Sequence, residues 1–217
     1  RGGDGINLST ARLGLKIPAI DNTNGYIYVS GIVTLSAGDR YIWKLKTSDG
    51  SEVWKVNPTG NNNLSNGISL SATGTIYTGG SADSRLYSVS PASTTNWDAI
   101  LTSGSVKSPI PNFDSSGNIY IGASGALDSG ALNKVSATGT VLWAFTGASL
   151  GASSHPAAVD SNGRVYFGAK DKFVYTLKPE DGSEIWKYEL SGEPVGFAIG
   201  NGVVYAVSYD GKIYALK

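Results

Sequence analysis

Apolar and polar residues alternate along most of the chain in short runs, and turns rich in Gly, Asn, Asp and Ser separate these runs. Alternation with a period of two is typical of strands that bury one face. Apolar residues make up 41% of the sequence, which is enough for a sizeable core. The pattern therefore predicts an all-β protein built from many short strands.

One run occurs five times: a Gly in a turn is followed by β-forming residues and then by Tyr. Successive copies begin 39 to 49 residues apart, which is close to the length of a propeller blade. The repeated glycines are Gly25, Gly74, Gly117, Gly163 and Gly202. An internal repeat of this length predicts a β-propeller with one blade for each copy.

Each copy provides enough alternating segments for about four strands. A short apolar strand precedes the turn, a further strand follows the Tyr strand, and four copies continue into a strand that contains Trp. We expect the Tyr residues and Trp54, Trp143 and Trp186 to pack between blades, because buried aromatic rings contribute strongly to core stability. The predicted blades are residues 16–56, 65–98, 108–146, 154–189, and 194–217 together with 1–10.

The fifth unit ends one strand short at Lys217. Residues 1–8 align with the segment that follows Leu177 in the fourth unit, so they are predicted to supply the missing strand. A borrowed strand of this kind removes an exposed sheet edge. The predicted fold is a single domain over residues 1–217, a five-bladed β-propeller of four-stranded blades that the N-terminal strand closes.

The fourth unit contains the most specific pattern, in residues 158–168, 175–177 and 181–186. These segments resemble the pyrroloquinoline-quinone (PQQ)-like propeller repeat of quinoprotein dehydrogenases and of non-enzymatic relatives such as the outer-membrane assembly lipoprotein BamB. The resemblance covers nearly the whole chain and implies a propeller, commonly of eight blades in those families. Quinoproteins also have a neighbouring Cys pair over the cofactor, whereas this sequence has no Cys, so we expect no cofactor.

Charge is sparse and balanced, with 17 basic and 17 acidic residues. Without a block of like charge or a long apolar run, we expect neither a nucleic-acid partner nor a membrane span. The polar, weakly charged composition and the sequons at Asn7 and Asn63 favour an extracytoplasmic location: periplasmic, secreted or at the cell surface. The sequence starts at Arg1 and has no Met, which suggests a processed form or one domain of a larger surface protein.

Few residues suggest chemistry. The turns that begin at Asp21, Asp114 and Asp160 resemble calcium loops but lack a bidentate Glu, so we interpret them as Asx turns. His155 is the only histidine, and it lacks the nucleophile elbow of a triad or the companion ligands of a zinc site. The innermost strands have no acidic residue in mid-strand, and only Glu193 lies near an entrance, which argues against a glycosidase. We expect no catalytic or metal site.

In a propeller, the loops that enter the first strand of each blade and those that join its second and third strands share one end, here called the loop face. Variable loops on a rigid frame are where binding usually concentrates. The predicted ligand-binding residues are His155, Asn66, Arg40, Arg85, Lys170, Lys172, Tyr209 and Glu193. The same loops contain Lys16, Lys107, Asp39, Asp83, Asp128, Asp171 and Asp210.

These features predict a non-catalytic binding or scaffold propeller that recognises a protein or carbohydrate partner through the loop face. The alternative is an enzyme domain, either a divergent quinoprotein or a hydrolase.

Overall fold

The computed structural model describes residues 18–32, 40–58, 64, 67–80, 83–102, 110–124, 130–147 and 156–217. These residues form nineteen strands in five antiparallel sheets, and every sheet is a meander in which strands adjacent in sequence pair with each other. The first four sheets have four strands, and the fifth has three within the described residues. The all-β prediction is therefore confirmed, and each sheet corresponds to one sequence repeat.

The sheets are called blades 1 to 5 in chain order. Blade 1 contains β1 (Ala19–Asp21), β2 (Tyr26–Ile32), β3 (Arg40–Lys46) and β4 (Glu52–Val56). Blade 2 contains β5 (Ser69–Leu70), β6 (Ile76–Gly79), β7 (Arg85–Val89) and β8 (Thr95–Ile100). Blade 3 contains β9 (Asn112–Phe113), β10 (Ile119–Ser124), β11 (Gly130–Val135) and β12 (Val141–Phe145). Blade 4 contains β13 (Ala158–Val159), β14 (Val165–Gly168), β15 (Phe173–Leu177) and β16 (Glu184–Glu189). Blade 5 contains β17 (Pro194–Gly200), β18 (Val203–Ser208) and β19 (Ile213–Leu216).

The repeated Gly occupies the same backbone conformation in all five blades, with φ between 73° and 82°. Side chains rarely tolerate this left-handed region, which explains why the repeat has Gly there. Blade 5 differs from the others because both Asn201 and Gly202 have positive φ, and Gly200 pairs directly with Val203. This is the two-residue turn that an Asn-Gly sequence favours.

Each four-stranded blade has a β-bulge in its outermost strand. In blade 1, Lys44 pairs with Trp54 and Leu45 pairs with Glu52, so Val53 is the extra residue. The same irregularity leaves Asn96, Leu142 and Ile185 unpaired in the other three blades. A bulge bends the strand and redirects the next side chain, which in every case is Trp.

The apolar core lies between successive blades. One cluster joins Tyr120 and Trp143 of blade 3 to Val165, Phe167 and Leu177 of blade 4. The innermost strands are also linked, because the Ser69 hydroxyl donates to the Pro111 carbonyl and the Asn112 amide donates to the Ala157 carbonyl. The predicted packing between blades is thus confirmed for Trp143, and Trp54 and Trp186 likewise contact apolar residues of the next blade.

Blade 5 differs from the others in the exposure of its repeated Tyr. Tyr28, Tyr77, Tyr120 and Tyr166 are at most 5% exposed, whereas Tyr205 is 41% exposed. Val207 and Ile213 are exposed on the same blade. The predicted closing strand in residues 1–10 lies outside the described residues. The described part of the chain contains no helix that is long and apolar enough to cross a bilayer.

Candidate functional site

Four of the predicted binding residues lie close together on the loop face of blades 4 and 5. The backbone N–H of Tyr209 donates to the Glu193 carbonyl at 2.9 Å, which joins the second turn of blade 5 to its entering loop. The N–H of Leu190 donates to the Lys172 carbonyl at the same distance. The side chains of Lys170 and Lys172 are exposed, and Tyr209 is 72% exposed. This part of the loop face presents two cationic groups and a phenol.

Two of the remaining predicted residues lie in blades 1 and 2. Arg85 begins β7 in blade 2 and forms an ion pair with Asp98 of β8, so it joins two strands of one blade. Arg40 begins β3 in blade 1. His155 and Asn66 lie outside the described residues, as do Lys16, Lys107, Asp39 and Asp128.

Three loop-face acids have a structural role. Asp83, Asp171 and Asp210 each accept a hydrogen bond from the tyrosine four residues later, at 2.6 Å for Tyr175 and for Tyr214. The other oxygen of each carboxylate accepts the backbone N–H two residues after the Asp. These contacts fix the loop between the second and third strands of the blade.

Electrostatics agrees with this role. The pKa of Asp210 is lowered, mainly by the hydroxyl of Tyr214. The pKa of Tyr175 is raised, first by burial and then by the hydrogen bond to Asp171. The spacing Asp-x-x-x-Tyr is visible in the sequence and could have identified these anchors, which were predicted only to lie in the loops of the loop face.

The Asp residues of the opposite end close the hairpins between the first and second strands. The Asp160 carboxylate accepts the N–H groups of Asn162 and Arg164 and the Tyr166 hydroxyl, all within 3.0 Å. Asp114 accepts the N–H groups of Ser116 and Asn118 in the same way. The interpretation of these turns as Asx turns is confirmed by these hydrogen bonds.

The pKa of Asp114 results from two opposing effects. Burial raises it, but hydrogen bonds from Asn118, Tyr120 and Ser116 outweigh burial and hold it below the ordinary value of 3.8. Lys134 contributes a further positive charge, because its Nζ lies 3.8 Å from the carboxylate. The charged carboxylate therefore stabilises this hairpin.

Two of the described cavities lie at the hairpin face, the end that carries the turns between first and second strands and between third and fourth strands. One cavity of about 400 Å³ lies between the hairpins of blades 4 and 5, and a second of about 450 Å³ lies between those of blades 1 and 2. These clefts could not be predicted from the sequence, because they depend on the spacing between neighbouring blades.

Repeated four-stranded meanders with their cores between blades define a β-propeller, and comparison with solved structures agrees. BamB from Moraxella catarrhalis aligns with 95% of this chain at a TM-score of 0.69 and 18% identity. Quinohemoprotein alcohol dehydrogenase from Comamonas testosteroni aligns with 96% at a TM-score of 0.71 and 14% identity. Virginiamycin B lyase from Staphylococcus aureus aligns with 97% at a TM-score of 0.66 and 13% identity.

The repeats resemble PQQ-like propeller repeats. Residues 128–217 match the family model described as outer membrane protein assembly factor BamB. The resemblance that the sequence patterns indicated is therefore confirmed. No curated protein sequence matches this one.

The chain is shorter than these solved relatives. It spans 59% of the BamB chain, 42% of the alcohol dehydrogenase and 71% of the lyase. At identities below 20% these likenesses show a shared fold.

The quinohemoprotein likeness raises the question whether this chain could hold a quinone cofactor. The sequence has no Cys, so it lacks the Cys pair that the family resemblance associates with that cofactor. In the described inner strands, Ser69 and Asn112 already donate to carbonyl groups of the neighbouring blade, and the Asp21 carboxylate accepts from Asn24. These residues do not fit a quinone and calcium site.

Proposed function

We propose that this protein is a non-catalytic binding or scaffold propeller that recognises its partner through the loop face. The observation that carries this proposal is the use of Asp83, Asp171 and Asp210 as loop anchors. Carboxylates that hold tyrosine hydroxyls and backbone N–H groups keep the loops in fixed positions, and a fixed loop frame favours recognition by reducing the entropy lost on binding.

The partner is proposed to be a protein or a carbohydrate, in an extracytoplasmic location. The BamB relatives support a protein partner, because their name describes an outer membrane protein assembly factor. On the loop face of blades 4 and 5, Lys170, Lys172 and the exposed Tyr209 offer cations and an aromatic ring. Such a group suits an acidic peptide segment or a sugar ring, since tyrosine provides a large contact area with a polar end.

We further propose that the blades form a closed five-bladed ring in which residues 1–10 supply the fourth strand of blade 5. Three observations support this arrangement. The fifth sheet has three strands among the described residues, its Tyr205 is exposed, and a cavity of about 420 Å³ lies between Trp186 and Leu216 beside β19, the last described strand of that sheet. A fourth strand at this edge would also occupy that space.

The enzyme alternative, a divergent quinoprotein or a hydrolase, remains a second proposal that the likeness to the alcohol dehydrogenases favours. It requires a reactive group on the propeller axis or the loop face. His155 and Glu193 are the residues on which such a reading depends.

Ligand binding tests the proposed function. The protein would be screened by thermal shift and by immobilised arrays against acidic, basic and neutral peptides and a panel of oligosaccharides. A ligand that binds only the folded state raises Tm. At a hundredfold excess over Kd it increases the free energy of unfolding by about 2.7 kcal/mol. A triple variant, Lys170→Glu, Lys172→Glu and Tyr209→Ala, removes the described loop-face groups, and Lys178→Glu provides a control with a single charge reversal in a turn of the hairpin face.

The expected result is a peptide or sugar ligand whose binding is lost in the triple variant and retained in Lys178→Glu. Equal binding by the two variants would contradict recognition through this part of the loop face. A Tm increase with PQQ and Ca²⁺ that depends on His155 would instead support the enzyme alternative.

A further inference from the structure

The cleft between blades 4 and 5 has one polar wall from each blade. The blade 4 hairpin contributes Asp160, Asn162 and Arg164, and the blade 5 turn contributes Asn201. Val159, Ile199, Val204 and the ring of Tyr166 provide the apolar part of the lining. A small cavity that combines apolar side chains with a few polar groups has the usual composition of a small-molecule site.

The shape of the blade 5 turn keeps this cleft open. Its loop consists of only two residues, Asn201 and Gly202, and Gly200 precedes it. The two glycines line the cleft but have no side chains to fill it. A Cβ built on either glycine meets no atom within 4 Å. By contrast, a Cβ on Gly163 of the facing hairpin would lie 3.3 Å from Pro179.

Arg164 supplies the charge. Among the described residues its guanidinium makes no ion pair. Asp160 lies in the same hairpin, but its oxygens already accept the N–H groups of Asn162 and Arg164 and the hydroxyl of Tyr166. These three donors are neutral, so Asp160 keeps its charge, but its oxygens already have partners. The Arg164 side chain interacts with the Tyr166 hydroxyl, and because a guanidinium has five N–H donors, others can reach a ligand.

The equivalent cleft between blades 1 and 2 serves as an internal comparison. Its lining includes Asp21, Asn22, Asn24, Ser71 and Thr73 and no basic residue. At the position of Arg164, directly after the repeated Gly, the other blades have Tyr26, Thr75, Asn118 and Val203. The cation is therefore a property of one cleft and not of the repeat.

We propose that the cleft between blades 4 and 5 is a binding site for a small oxyanion, a carboxylate or phosphate group held by Arg164. The planar guanidinium presents parallel N–H groups that match two oxygens of such a group. The amides of Asn162 and Asn201 lie at the same rim and provide additional N–H donors. This site is at the end opposite the loop face, so it is independent of the proposed partner site.

The test is a calorimetric titration of the full chain with sodium acetate, sodium succinate and inorganic phosphate at constant ionic strength. Arg164→Gln removes the charge, Arg164→Lys keeps the charge without the fork, and Arg85→Gln is a control at an arginine that is already paired. We expect saturable binding that weakens about tenfold or more in Arg164→Gln and by a smaller factor in Arg164→Lys. Arg85→Gln should bind like the unchanged protein.

Stronger binding of acetate and succinate than of phosphate would assign the site to carboxylates, and the reverse order would assign it to phosphates. Equal affinity in Arg164→Gln, or no saturable binding of any of the three probes by the folded protein, would overturn the proposal. Because the loop-face triple variant retains Arg164, unchanged oxyanion binding by that variant separates this result from a failure of the proposed function.

Discussion

The indole Nε1 of Trp143 in blade 3 donates a hydrogen bond of 3.1 Å to the carbonyl oxygen of Pro179 in blade 4. Trp54 and Trp97 make the same bond to the carbonyls of Pro91 and Ala137, each in the third-to-fourth turn of the next blade. The repeated Trp is thus a hydrogen-bonded junction between blades as well as an apolar filler. The β-bulge before each Trp redirects the ring toward that turn.

Trp143→Phe is expected to lower the free energy of unfolding by about 1–2 kcal/mol, because it removes one hydrogen bond and part of a buried ring. Lys134 also donates to the Pro179 carbonyl, at 2.7 Å, so the acceptor keeps one partner. Urea unfolding measures the effect, with Tyr188→Phe as control since Tyr188 is half exposed. Equal midpoints for both variants would contradict the role of the indole N–H.

Gly182→Ala is expected to destabilise the protein by at least about 1–2 kcal/mol. Gly182 has a φ of +72°, and an added Cβ would lie 2.7 Å from the Trp143 ring. The control is Gly196→Ala, where the added Cβ meets no atom within 4 Å. We expect that control to change stability little, or to increase it slightly by restricting the unfolded chain. A similar loss of Tm in both variants would show that the close approach to Trp143 is unimportant.

Tyr175→Phe and Asp171→Asn should each loosen the turn at residues 169–172, because the hydroxyl of Tyr175 donates to the Asp171 carboxylate at 2.6 Å. Each single change is expected to cost about 1–3 kcal/mol in unfolding free energy, while the double variant should cost less than the sum. Hydrogen exchange at the N–H of Phe173, which Asp171 accepts, reports the local effect. Strict additivity would mean that the two groups act separately.

Acidification should destabilise the protein partly through Asp114. Since hydrogen bonds hold the pKa of this group below 3.8, the carboxylate contributes stability that is fully present above pH about 4 and is lost as the pH falls through the lowered pKa. Asp114→Asn should cost about 1 kcal/mol at pH 7 and make stability less dependent on pH below about 4. Parallel pH profiles of Tm for both proteins would contradict this assignment.

Ring closure can be tested through Trp186, whose indole N–H has no acceptor among the described residues. If residues 1–10 complete blade 5, a backbone carbonyl in that segment should accept the Trp186 N–H, just as the Pro179 carbonyl accepts the N–H of Trp143. Deleting residues 1–10 should then lower Tm, and Trp186→Phe should cost about 1 kcal/mol in the full chain but little in the shortened one. The same cost in both backgrounds would show that Trp186 has no partner in the N-terminal segment.

Some structural features could be predicted from the sequence because they depend on local rules. The repeated Gly was identified as a turn residue, and the structure gives it positive φ in every blade. The alternating runs became strands in the predicted order, and the Asp residues of the hairpins became Asx turns. Each of these follows from the conformation that a few neighbouring residues favour.

Other features depend on how blades approach one another. The bulge at Val53 and its equivalents was not predicted, because alternation does not show where one residue is unpaired. The structural role of the loop-face acids was not predicted for a related reason: the sequence places Asp171 on the loop face but does not show that Tyr175 donates to its carboxylate. A hydrogen bond between side chains requires the geometry of the turn as well as the spacing.

The strand segments, the repeat length and the resemblance to PQQ-like repeats could be read from the sequence, since backbone preference and apolar periodicity act over short distances. The contact of Trp143 with Pro179 and the position of Arg164 in a cleft with Asn201 became visible only in the folded structure. These residues are far apart in the chain or belong to different sheets. Their proximity is set by the packing of one blade on the next, because the side chains that fill each interface come from both blades.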